Sequence, residues 1–163
     1  MKILIAYSTK TGTTAECSRL LAKELPRFEV DVSDLSVSKP NTDDYDLIVI
    51  GGSIRMGKLD KRTYAFLQEN REKLLKKKSA YFICNGFNEE SENYFKKCFP
   101  AELIENAVLH DTFGGELKLD KQKGFDKIVV KMLLKVNEEN DEFTMPSILT
   151  EAICRFADKI KEM

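Results

Sequence analysis

A chain of 163 residues with 26 Lys plus Arg against 27 Asp plus Glu, formal net charge −1, lacks the basic excess that a nucleic-acid binder presents. Its length suits one domain, 1–163, whose core needs neither disulfide nor metal. Cys17, Cys84, Cys98 and Cys154 have no C-x-x-C spacing, and three sit in apolar-patterned segments typical of reduced core thiols, so a cytoplasmic setting is expected. Met1-Lys2 is followed by only five residues before Ser8, too short for the apolar core of a signal leader, so none is expected, and no run nears the roughly 18 apolar residues of a spanning helix.

The first element is the apolar run Ile3 to Tyr7, which predicts a buried parallel strand. It leads into Ser8-Thr9-Lys10-Thr11-Gly12-Thr13-Thr14 and then a helical pattern at Cys17, Leu20, Leu21, Glu24 and Leu25, stopped by Pro26. Five hydroxyls, a Gly and a Lys at a strand-to-helix turn make a phosphate cradle, because first-turn N–H groups are unpaired and lie at the positive end of the helix dipole. An ordinary N-cap would need only one hydroxyl.

Phe28, Val30 and Val32 alternate with polar residues, the pattern of a half-exposed edge strand. Leu47 to Ile50 predicts the third strand and Ala80 to Cys84 the fourth, with one helix between them through Phe66, Leu67, Asn70 and Leu74. Ala107 to Phe113 predicts the fifth. Strand and helix alternate, so right-handed crossovers give an α/β fold, a doubly wound sheet of five parallel strands in the order 2-1-3-4-5 with helices on both faces. Ile148, Leu149, Ala152, Ile153, Phe156, Ala157 and Ile160 line one face of a last helix after Pro146. The segment 124–136 is apolar except for Lys127, Lys131 and Lys135, which share one side: a buried helix with its lysines in solvent, or a face for peripheral membrane contact.

Ligands of such sheets bind beyond the carboxyl ends of the strands, where the strand order reverses. The loops there are Gly51-Gly52-Ser53-Ile54-Arg55-Met56-Gly57-Lys58 after the third strand, Asn85-Gly86-Phe87-Asn88 after the fourth and Phe113-Gly114-Gly115-Glu116 after the fifth. Each has Gly where the backbone is expected to turn sharply or approach a ligand closely. Gly52 to Leu59 matches a nucleoside-triphosphate loop except at its last position, where Leu59 cannot hold magnesium. Gly51 to Arg55 starts like a hydrolase nucleophile elbow but ends on Arg55 rather than Gly, and the sole histidine, His110, falls inside a strand pattern that suits packing. No metal site and no catalytic side chain is assigned.

With these loops in place the chain resembles the flavodoxin-fold, FMN-binding proteins over essentially its whole length. That resemblance implies FMN as cofactor, its phosphate on Ser8, Thr9, Lys10, Thr11, Gly12, Thr13 and Thr14, and its ring between Ser53, Ile54, Arg55, Met56, Gly57 and Asn85, Gly86, Phe87, Asn88. Phe87 is the aromatic residue available in those loops to stack on the ring. Ser53 to Gly57 and Lys127 to Val136 are similar to one branch, the menaquinone-dependent protoporphyrinogen IX dehydrogenases. The resemblance therefore implies an FMN-dependent electron-transfer protein or small oxidoreductase working with a redox partner protein or a quinone. That dehydrogenase of haem biosynthesis, peripheral to the inner face of the membrane, is the alternative. A non-redox phosphate or nucleotide module on the same fold is a further one.

Overall fold

The computed structural model describes residues 1–86, 90–116 and 146–163. Its parallel strands are β1 (Lys2–Tyr7), β2 (Glu29–Asp34), β3 (Leu47–Arg55), β5 (Lys78–Cys84) and β6 (Leu109–Thr112), and β4 (Lys58–Leu59) folds back antiparallel on β3. They lie in the order β2-β1-β3-β5-β6, which is the expected 2-1-3-4-5 once the short return strand is set aside. Tyr7 pairs with Gly51, and Ser53 with Cys84, so the carboxyl ends of β1, β3 and β5 stand side by side.

Alternation of side chains builds two cores. Ile3, Ile5, Leu47, Val49, Ala80 and Phe82 face α1 (Thr13–Lys23) and α6 (Thr150–Lys161), which contribute Leu21, Ile153, Phe156 and Ile160. Leu4, Ala6, Ile48, Ile50, Tyr81 and Ile83 face the other way, toward α2 (Lys61–Glu69), α3 (Arg71–Lys76), α4 (Ser91–Cys98) and α5 (Ala101–Glu105), which contribute Phe66, Leu74, Phe95 and Leu103. Both faces are covered, as near-continuous apolar strands require. The β2 edge is only half buried.

Three elements differ from the sequence pattern. β3 runs on to Arg55, so Gly51 and Gly52 are strand residues and not a loop. Their lack of a side chain serves packing: a Cβ on Gly51 would lie 2.2 Å from the Phe82 ring, and one on Gly52 2.4 Å from Leu59. The single helix expected between the third and fourth strands is broken at Asn70, whose Nδ2 donates to the Phe66 carbonyl at 3.0 Å while Oδ1 accepts from Thr42 at 3.3 Å. The last helix starts at Thr150, because Ile148 instead pairs antiparallel with Gly114. The segment 124–136, Phe87 and Asn88 lie outside the described residues. Among the described residues, no helix is long and apolar enough to cross a membrane.

Tyr81 is wholly buried in the second core and its hydroxyl donates to Ser79 Oγ at 2.9 Å. Burial pushes its phenol from the ordinary 10.0 up to about 12. The folded chain then keeps a proton that the unfolded chain releases, so this contribution to stability is complete below pH 10 and is lost as pH rises toward 12. Tyr81→Phe should therefore lag the parent in melting temperature by less at pH 11 than at pH 8. An equal lag at both would contradict the assignment.

Candidate functional site

At the end of β1 the chain separates two uses of the hydroxyl-rich turn. Ser8 is fully buried, and its Oγ donates to Asp60 Oδ1 at 2.8 Å and lies 2.6 Å from Thr63 Oγ1. Thr63 in turn donates to the Gly51 carbonyl at 3.3 Å, and Asp60 caps α2 by accepting the Arg62 amide at 2.9 Å. The Ser8 side chain thus holds the turn to β3 and α2. Asp60 and Thr63 carry no motif that sequence reading could have used, since their roles depend on a partner 52 and 55 positions away.

In the rest of the turn, Thr9, Thr11 and Gly12 are half-buried, Lys10 is exposed, and Thr13 and Thr14 are buried. Thr9 Oγ1 accepts the Gly12 amide at 3.0 Å and closes the loop. Gly12 is the N-cap of α1 with φ 91°, a left-handed backbone that favours Gly, and no side chain caps the helix. The run of hydroxyls is therefore not spent on capping. Thr13 is 5 % exposed, yet its Oγ1 has no hydrogen-bond partner among the described residues. Beside it stand the unpaired first-turn amides and the positive helix end, with Thr11 half-buried and Lys10 exposed at the rim. An orphaned buried hydroxyl in the first turn of a helix whose N-terminus has no side-chain cap is chemistry that suits a phosphate monoester.

Below the turn, Thr14 is fully buried and faces the Cys84 thiol. Cys84 is also in contact with Cys17, and that contact together with burial pushes its thiol well above the ordinary 9.0. It stays protonated and unreactive at neutral pH. Only two of the four thiols are fully enclosed: Cys98 and Cys154 are half-buried. A thiol-titrating disulfide reagent should thus modify Cys98 and Cys154 in the native chain and reach Cys17 and Cys84 only after unfolding. Rapid modification of all four would refute the buried pair.

The third-strand loop is a hairpin. Ile54 pairs with Leu59 and Arg55 with Lys58, and the two turn residues Met56 and Gly57 both have positive φ, 49° and 72°, the signature of a type I′ turn. Here Gly does serve a turn, unlike Gly51 and Gly52, and the hairpin geometry is unlike a phosphate-wrapping triphosphate loop. Ile54 is buried, Arg55 half-buried, and Ser53 Oγ joins Thr13 Oγ1 and Thr14 Oγ1 as a buried hydroxyl without a hydrogen-bond partner among the described residues. Cys98 Sγ donates to the Gly57 carbonyl at 3.4 Å.

Beyond β5, Asn85 is buried, its amide donating to the Gly114 carbonyl at 3.0 Å and its Oδ1 accepting from Thr112 at 2.7 Å. Gly86 follows, half-buried beside Pro146. Gly115 donates to the Ser147 carbonyl at 3.2 Å, so the segment before α6 closes this side of the site. His110 packs its ring edge-on against Phe95, with Glu92 at 3.6 Å, away from the turn. Residues 8–14, 53–57 and 85–86 thus gather at the carboxyl ends of three adjacent strands. Among the described residues no cluster of His, Cys, Asp or Glu could hold a metal.

The chain is similar over its whole length to a protoporphyrinogen IX dehydrogenase [quinone] of Escherichia coli K12, with 24 % identity over 174 aligned residues that cover 96 % of that protein. A protein of the same description from Leishmania major is also 24 % identical, over 96 % of this chain and 73 % of its own length. Among solved structures, oxidised Flavodoxin 1 from Bacillus cereus superposes with a TM-score of 0.57 at 15 % identity, covering 100 % of this chain and 99 % of that one. A flavodoxin domain model matches residues 4–144, and the chain belongs to that family.

Proposed function

We propose that the chain is an FMN-binding redox protein, with the phosphate held at the Ser8 to Thr14 turn and the ring flanked by Ser53 to Gly57 and Asn85 to Asn88. The observation that carries this reading is the buried, unpartnered Thr13 hydroxyl beside an α1 N-terminus that no side chain caps. Thr13 and the first-turn amides would donate to the phosphate oxygens, Lys10 would add positive charge at the rim, and Ser8 would hold the turn in place through Asp60 and Thr63. Ser53 would offer its hydroxyl near the ring, and space is open on the Cβ side of Gly57, whose carbonyl accepts from Cys98 Sγ. The flavin supplies the electron chemistry; the chain supplies position, water exclusion and the local field. Its partner would be a redox protein or a quinone.

The test is direct. Purified chain incubated with FMN and then filtered should retain flavin absorption bands that bleach with dithionite; FMN passing entirely into the filtrate would overturn the reading. A second reading, enzymatic, is favoured by the full-length similarity to the quinone-dependent dehydrogenases. Turnover of protoporphyrinogen IX with menaquinone would establish it, and bleaching without turnover would leave an electron carrier.

A further inference from the structure

Beside the hairpin stands a group of cations that form no ion pair among the described residues. β4 and the first turn of α2 supply Lys58, Lys61 and Arg62, all exposed. The thiol of Cys98 on the Gly57 carbonyl draws in the end of α4, with exposed Lys96 and Lys97 in its last turn. Among the described residues, Asp60 accepts from Ser8 and from the Arg62 amide, and Glu69 pairs with Lys39 at 3.0 Å. Glu90 stands about 10 Å from Lys97 by helical rise, and Glu92, one turn before Lys96, lies 3.6 Å from His110. In a chain of net charge −1 this is a local excess.

The same hairpin and helix expose two apolar side chains, Met56 at 76 % and Tyr64 at 48 %. Met56 also occupies the left-handed region, which is costly for any residue with a Cβ. Tyr64 follows Lys61 by one turn on α2 and is exposed at the flank of the buried stripe of Thr63, Phe66 and Leu67. Met, Tyr and Arg are the side chains that interface centres favour, and cations around them select a carboxylate-rich partner and speed its approach. A lipid surface would need a broader apolar face than two side chains.

We propose that this hairpin and the outer face of α2 dock a partner protein whose surface carries carboxylates around an apolar centre. The proposal rests on the redox reading above, since the patch adjoins the loop assigned to the ring. Its test uses chain without FMN, titrated at low salt with a fluorescein-labelled decamer of glutamate and followed by anisotropy. The triple variant Lys58→Glu, Lys61→Glu, Arg62→Glu should weaken binding at least about tenfold, whereas Lys23→Glu, Arg27→Glu, Lys159→Glu, at the amino ends of the strands, should leave it nearly unchanged. In FMN-loaded chain reduced by dithionite, the first triple should slow oxidation by ferricyanide several-fold and speed oxidation by hexaamminecobalt(III), with both effects shrinking as salt rises. Equal weakening by the two triples would overturn the proposal, as would capture by phosphatidylglycerol vesicles without decamer binding. FMN retention, measured on the same samples, reports separately on the redox reading.

Discussion

Thr13→Val should raise the stability of the FMN-free chain and lower its affinity for FMN. The hydroxyl is buried without a partner among the described residues, so its removal abolishes a desolvation cost of roughly 1–3 kcal/mol while valine keeps the shape. In the bound state the same hydroxyl would donate to a charged oxygen, an interaction of about 1.5–3 kcal/mol, so affinity should fall roughly tenfold to a hundredfold. Thermal unfolding of the free chain and fluorescence titration with FMN measure the two effects. A loss of stability together with unchanged affinity would show that Thr13 has a structural partner and no role in the site.

Gly51→Ala should destabilise the fold by about 3 kcal/mol, the upper end of the overpacking range. The new Cβ would sit 2.2 Å from Cζ of Phe82, which is fully buried and stacked on Phe113 with centroids 4.4 Å apart, so the ring has no free direction in which to yield. For a chain of this size that corresponds to a fall in melting temperature of roughly 6–12 °C. Gly51→Ala combined with Phe82→Leu should lose less than the sum of the two single changes, because the smaller side chain vacates the contested space. Strict additivity in a denaturant titration would contradict the contact.

The same pair of residues explains what the sequence carried and what it hid. The parallel order was legible because Ile3 to Tyr7, Leu47 to Ile50 and Ala80 to Cys84 are short apolar runs, and such strands are buried on both faces. Gly51 and Gly52 read locally as punctuation, and only a ring 31 positions later and Leu59 across the return strand reveal them as space left for neighbours. Asn70, where the helix breaks, accepts from Thr42, a partner 28 positions earlier that no local pattern reveals. In the candidate site the turn was visible as a concentration of hydroxyls, yet the sequence could not divide them. Ser8 and Thr13 are chemically alike, and the fold alone ties one to Asp60 and leaves the other without a partner.

The Ser8 tie has a kinetic meaning. By joining the turn after β1 to Asp60 and Thr63 at the root of the hairpin, it makes one rigid body of the two loops that an elongated ligand would touch at opposite ends. The ordering of that body occurs when the chain folds, so little conformational entropy is left to lose on association. Capture should then resemble a key entering a cut lock, rapid and with backbone shifts under about 1 Å.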